Sequence, residues 1–79
     1  MKEFVEFMAK NLVDQPAKVV VEEKQPEDNK VVFTLKVANE DVGKVIGKQG
    51  KTAQAMRTLL TAIAAKEGKK AVLEIYQPQ

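Results

Sequence analysis

The stretch VIGKQGKTA, residues 45–53, holds the features that decide the fold. Gly47 and Gly50 stand three residues apart, and glycine has no Cβ atom to hold a ligand away from the main chain. The loop leads into a predicted long helix, whose first N–H groups and dipole favour an anion. Lys48 and Lys51 add positive charge beside it. The stretch predicts a phosphate-binding loop between two helices. The alternative is a turn that only ends one helix and begins the next.

Two other glycine-rich phosphate motifs are excluded by Val45. A Walker A loop needs a glycine five residues before Gly50, and the dinucleotide-binding pattern needs one two residues before Gly47. Val45 occupies both of these positions. No predicted strand leads into the loop, so a short clamp on a ligand backbone is the motif that remains.

Hydrophobic spacing on both sides of the loop predicts one α+β domain over residues 1–79, with the order α-β-β-α-α-β. Helices are predicted over 2–13, 42–46 and 51–66, and strands over 18–24, 30–38 and 71–76. A turn over 25–29 joins the first two strands, because proline and asparagine there suit a reversal of the chain.

Individual side chains receive predictions from the same spacing. Phe7 lies off the apolar stripe of the first helix, so it is expected at the edge of the core, with a partner surface as the alternative. Asn39 is expected to cap the short helix. The long helix is expected to bury four apolar residues, Met56, Leu59, Leu60 and Ile63.

Composition excludes most enzyme classes. The chain has no cysteine, no histidine and no serine. Nucleophilic Ser-His-Asp and Cys-His sites are therefore impossible, and so are the common zinc sites. We expect no catalytic residue, no metal and no cofactor. Neither a signal peptide nor a membrane-spanning run is visible, so a cytoplasmic protein is expected, without a membrane partner.

Charge is distributed unevenly along the chain. Residues 1–41 carry six lysines against nine acids, whereas residues 42–66 carry five basic residues and no acid. The second segment is a basic island, and it indicates an anionic partner. A solvated helix face is the alternative.

The quoted stretch resembles the core motif of KH domains. The predicted order of elements resembles the type II, prokaryotic KH fold, in which three helices cover one face of a three-stranded sheet. Residues 4–16, 41–50 and 57–60 are similar to the stand-alone bacterial KhpA family.

The resemblance implies a protein that clamps about four nucleotides of single-stranded RNA through the loop. It further implies an RNA chaperone or post-transcriptional regulator that acts with a second KH protein, KhpB (also called Jag or EloR). In some bacteria this pair is linked to cell-wall homeostasis and cell length.

Nine residues are expected at the RNA site. The loop is expected to offer its backbone and its exposed side chains to the RNA. The cations on either side of the loop contact or steer phosphate. The apolar pair before the loop belongs to the core or forms the floor of a groove. Arg57 is either a contact or an ordinary surface arginine. The nine are Gly47, Lys48, Gln49, Gly50, Lys44, Lys51, Val45, Ile46 and Arg57.

Two other functions stay open. The domain could mainly dimerise, with RNA binding incidental, or it could bind single-stranded DNA, because the sequence does not reveal the contacts to the 2′-hydroxyl that distinguish RNA from DNA. A single domain that contacts only a few nucleotides binds nucleic acid weakly. A homodimer, or a heterodimer with a KhpB-like protein, is therefore expected.

Overall fold

The computed structural model describes residues 1–77, and the predicted order of elements is confirmed. Helix α1 spans Lys2–Leu12, strand β1 Val20–Glu27, strand β2 Lys30–Lys36, helix α2 Val42–Ile46, helix α3 Lys51–Lys66 and strand β3 Lys70–Ile75. Three short 3₁₀ turns lie at the connections, at Pro16–Lys18, Asn39–Asp41 and Lys48–Gly50.

The three strands form one mixed sheet in the order β1-β2-β3. β1 and β2 form the expected antiparallel hairpin, with Val21 opposite Leu35. β3 runs parallel to β2, with Leu73 beside Phe33. Parallel neighbours need a crossover connection, and α2 and α3 supply it. The result is the α+β, type II KH arrangement that the resemblance implied.

The core lies between one face of the sheet and the helices. Alternate residues of β2 point to this face because successive side chains of a strand alternate. α1 contributes Val5 and Ala9, and α3 contributes a stripe at helical spacing with two alanines that permit close packing. The largest fully buried side chains are Phe33, Leu35, Leu60, Val5, Val45 and Asp41.

Two predictions about apolar side chains are wrong. Leu59 is 49% exposed, because α3 turns a narrower stripe to the sheet, centred on Met56 and Leu60, and Leu59 lies about 100° from Leu60. Phe7 is 67% exposed, because α1 buries the opposite side, where Val5 lies. Both side chains are therefore open to a partner.

The connections also differ from prediction in detail. β1 continues to Glu27 through Pro26, with an irregular register between Lys24 and Glu27. An edge strand tolerates proline, because the missing N–H faces away from the ladder. Asn39 does not cap a helix, because it lies inside a 3₁₀ turn and no side chain caps that turn.

Candidate nucleic-acid interface

The loop between α2 and α3 has a backbone that glycine makes possible. Gly47 adopts φ 77° and ψ 173°, and Gly50 adopts φ 75° and ψ 10°. The N–H of Gly50 donates to the carbonyl of Gly47 over 3.1 Å, which closes the turn. Residues other than glycine rarely adopt these backbone angles, and the region that Gly47 occupies is almost reserved for glycine.

The two glycines serve different purposes. A Cβ atom built on Gly47 would lie 2.7 Å from the backbone nitrogen of Thr52 and would overlap the Thr52 side chain. A Cβ atom on Gly50 would meet nothing within 4 Å. Gly47 is therefore required by packing inside the molecule, whereas Gly50 leaves main chain bare towards solvent.

The N-terminus of α3 has no side-chain cap. Gly50 occupies the capping position and has no side chain to accept the first N–H groups of this 16-residue helix. The N–H of Lys51 donates to the carbonyl of Lys48, whereas the next N–H groups and the positive end of the helix dipole face the loop. An oxygen of a phosphate group supplies the acceptor that such an end lacks.

The loop side chains point outward. Lys48 and Gln49 are both exposed, and Gln49 lies in the left-handed region at φ 57° and ψ 28°. A non-glycine residue in that region costs about 1–2 kcal/mol, so the turn holds Gln49 in a strained conformation. Such strain is concentrated at ligand sites in proteins.

The cations around the loop are not equivalent. Within residues 1–77, neither Lys48 nor Lys51 forms an ion pair. Lys44 instead pairs with Asp14, and its Nζ lies 3.8 Å from Oδ1 of Asp41. The hydrogen bond from its ammonium group to Asp14 raises the pKa of Lys44 above its ordinary value. Lys44 thus stays charged, but the carboxylates of Asp14 and Asp41 offset its charge, so it contributes less to the positive field of the basic island than the sequence suggested.

Asp41 is a supporting residue that the sequence did not reveal. It is 1% exposed, and its carboxylate accepts the N–H groups of Asp14 at 3.3 Å and Gln15 at 3.1 Å. The sequence shows only an acid at a helix start, and the partners lie more than 25 residues away. Asp41 ties the end of α1 to the start of α2, and so fixes the helix that carries the loop.

The remaining predicted site residues divide between the core and the surface. Val45 is 0% exposed, so its side chain belongs to the core and cannot touch a ligand in this conformation. Ile46 is half-buried directly before the loop. Arg57 lies on α3, and its Nε donates to the carbonyl of Leu73 on β3 over 3.2 Å.

Groups typical of other chemistries are absent from residues 1–77. No cluster of acidic residues there could hold a metal ion, and no buried side-chain nitrogen or oxygen lacks a hydrogen-bond partner. No helix in this part of the chain is both long and apolar enough to cross a membrane. Within these residues, the loop and the uncapped end of α3 have the charge and the free N–H groups that suit an anionic group.

Comparison with known proteins identifies the family. The model of the KhpA/KhpB KH domain matches residues 2–75. "RNA-binding protein KhpA" of Clostridium perfringens is 55% identical over 75 residues, which is 95% of this chain and 99% of that protein. The proteins of the same name from Aquifex aeolicus and Chlamydia trachomatis are 52% and 46% identical over 77 residues. These two alignments cover 98% of this chain, with 96% and 97% of the respective relatives.

No solved structure gives a significant match to this chain. The family model nevertheless covers all three helices and all three strands, including the loop between α2 and α3. This chain therefore belongs to the KhpA/KhpB family of KH domains.

Proposed function

We propose that this chain binds single-stranded RNA by holding the sugar-phosphate backbone on the loop Gly47–Gly50. The observation that carries this proposal is the uncapped N-terminus of α3, set beneath a bare glycine and beside two unpaired lysines. The relatives with nearly full coverage are named as RNA-binding proteins, which supports RNA as the anion.

Each candidate residue receives a role in this proposal. The N–H groups of Thr52 and Ala53 in the first turn of α3 bind a phosphate, and Lys48 and Lys51 contact or steer phosphates. Gln49 offers an exposed amide, and Ile46 forms the apolar wall beside the loop. The other candidates act less directly: Gly47 and Val45 hold the loop in place, Lys44 adds long-range charge, and Arg57 faces the ligand further along α3.

The decisive test is the double variant Lys48→Asp with Gln49→Asp. It keeps both glycines, and aspartate tolerates the left-handed angles of Gln49. The local charge becomes more negative by three units, which repels phosphate. We expect RNA binding, measured by fluorescence anisotropy at low salt, to fall at least tenfold. The melting temperature should hardly move, because substitutions at exposed positions usually change stability by only about 0.5 kcal/mol.

A matched control exists in the same chain. Lys24 and Gln25 repeat the Lys-Gln pair at exposed positions of β1, near the hairpin turn. That turn adjoins the start of β3, and the start of β3 follows the C-terminal end of α3, about 24 Å along the helix from the loop. Lys24→Asp with Gln25→Asp makes the same charge change and should bind RNA nearly as the parent does. If the loop variant folds and binds RNA as tightly as this control does, the loop only separates two helices and does not bind RNA.

We further propose that the chain works with a second KH domain, either another copy of itself or a KhpB-like protein. Few cationic groups reach the ligand, so one copy binds weakly, and linked modules raise the affinity through effective concentration. Action in the cytoplasm as an RNA chaperone or post-transcriptional regulator linked to the cell wall and cell length completes the proposal. Its support is the family resemblance.

A further inference from the structure

Of the three lysines beside the loop, Lys44 alone is paired with acidic residues in the part of the chain that the structure describes. Its ammonium group donates a hydrogen bond to the carboxylate of Asp14, and its Nζ lies 3.8 Å from Oδ1 of Asp41. One cation next to the candidate phosphate site is therefore already in contact with an anion that belongs to the protein itself.

The main chain, and not the side chain, keeps Asp14 in this place. The N–H of Asp14 donates to Oδ1 of the buried Asp41 over 3.3 Å, and the N–H of Gln15 donates to Oδ2 over 3.1 Å. The side chain of Asp14 is 77% exposed, and exposed ion pairs contribute little to stability. The fold thus needs the backbone of Asp14 but not its carboxylate.

The ammonium group of Lys44 can reach a phosphate at the loop once Asp14 no longer holds it. Lys44 precedes Gly47 by three residues, which is about 4.5 Å along α2, and residues three apart are neighbours on a helix surface. Its side chain is 45% exposed and has a flexible four-carbon stem. Asp41 keeps its two N–H donors when Lys44 moves, so no buried carboxylate is left without a partner.

We infer that Asp14 lowers the affinity of this chain for RNA by holding Lys44, which otherwise binds a phosphate beside the loop. The inference rests on the proposed function, since it places that phosphate at the loop. Asp14 and the phosphate compete for one ammonium group, because lysine donates charge-assisted hydrogen bonds to carboxylates and phosphates alike. Asp14 thus acts through Lys44 and weakens binding without touching the RNA.

Asp14→Asn tests the inference, because asparagine keeps the N–H that Asp41 accepts and loses only the charge. The probe is oligouridine of about eight nucleotides, long enough to cover the loop and its flanks. Measured by fluorescence anisotropy at low salt, the variant should bind about fivefold more tightly than the parent. The log–log salt slope should become steeper by about 0.7, because one more phosphate contact forms. Asp14→Glu keeps the carboxylate and should bind like the parent.

Two further variants separate this effect from simple repulsion between Asp14 and RNA. In a chain that also carries Lys44→Met, Asp14→Asn should change the affinity by less than about twofold, since only a screened repulsion is removed. Glu40→Gln is the matched control. Glu40 is an exposed acid in the 3₁₀ turn before α2, and it accepts a hydrogen bond from Gln15 rather than from Lys44. Its replacement should leave the salt slope unchanged.

Other results would overturn the inference. If Asp14→Asn binds the probe like the parent, or gains as much affinity in the Lys44→Met chain, Asp14 does not act through Lys44. A gain in affinity without a steeper salt slope would show that no new phosphate contact forms. If neither the parent nor any variant binds the probe at low salt, the proposed function is refuted as well.

Discussion

At Gly47 the main chain satisfies two demands that no other residue type meets. The angles lie in a region almost reserved for glycine, and Thr52 fills the space where a Cβ atom would stand. Gly43, one helical turn earlier, differs in both respects. It lies in the short helix α2, is exposed, and would place a Cβ atom in open space. Its lack of a side chain therefore has no explanation in the folded chain alone.

Alanine substitutions at these two positions should have opposite effects on stability. Gly47→Ala should lower the free energy of unfolding by about 3 kcal/mol, through backbone strain and overlap with Thr52. Gly43→Ala should raise it by about 0.5–1 kcal/mol, because alanine is the better helix former. Urea denaturation of both variants measures the difference. Two variants of equal stability would contradict the loop geometry described above.

At the scale of elements, the buried carboxylate of Asp41 links the end of α1 to the start of α2. Asp41 accepts N–H groups from Asp14 and Gln15 just beyond the end of α1, and it stands immediately before α2. A buried carboxylate is costly to leave without donors, so the link is stronger than an exposed ion pair. The position of α2, and with it the loop, depends on this side chain.

Removing this link should be costly. Asp41→Ala should lower the free energy of unfolding by about 3 kcal/mol, since two hydrogen bonds to a charged acceptor are lost in a covered site. Asp14→Asn is the control: its side chain is largely exposed and only pairs with Lys44, so the change should stay near 0.5 kcal/mol. Guanidinium denaturation compares the two variants, and an equal effect of both would show that Asp41 is not the link.

At the scale of the whole molecule, small size and exposed apolar groups favour assembly. The protein has a mass of 8.8 kDa, and the two unpaired lysines of the proposed RNA site lie on one loop and at the start of one helix. Phe7 and Leu59 expose large apolar side chains on different helices, where a partner could cover them. Exposed apolar surface marks interaction sites when it is contiguous, and a partner would also raise the affinity for RNA.

Sedimentation across a concentration series should therefore reveal self-association, or association with a KhpB-like KH protein when one is added. Phe7→Ser and Leu59→Ser alter exposed positions and should leave the melting temperature nearly unchanged. At least one of them should weaken the association by tenfold or more. A chain that remains at the mass of one copy throughout, and that also fails to bind the second protein, would end this part of the proposal.

The sequence by itself determined the helices, the strands and the loop. These depend on interactions between close neighbours: helical spacing in 51–66, alternation in β2, and the chain reversal that Gly47 and Gly50 permit. The geometry of the loop could be predicted for the same reason, because two glycines, two lysines and a helix N-terminus lie within five residues; its binding of RNA stays a prediction.

Only the tertiary structure decided which of these groups are free to act. Lys44 is paired across 30 residues with Asp14, Asp41 is buried by partners 26 and 27 residues away, and Arg57 reaches a carbonyl 16 residues away. The exposure of Leu59 depends on how closely α3 packs on the sheet. Such pairings form only when distant segments of the chain come together. The spacing of residues along the sequence therefore does not show which partner each side chain will contact.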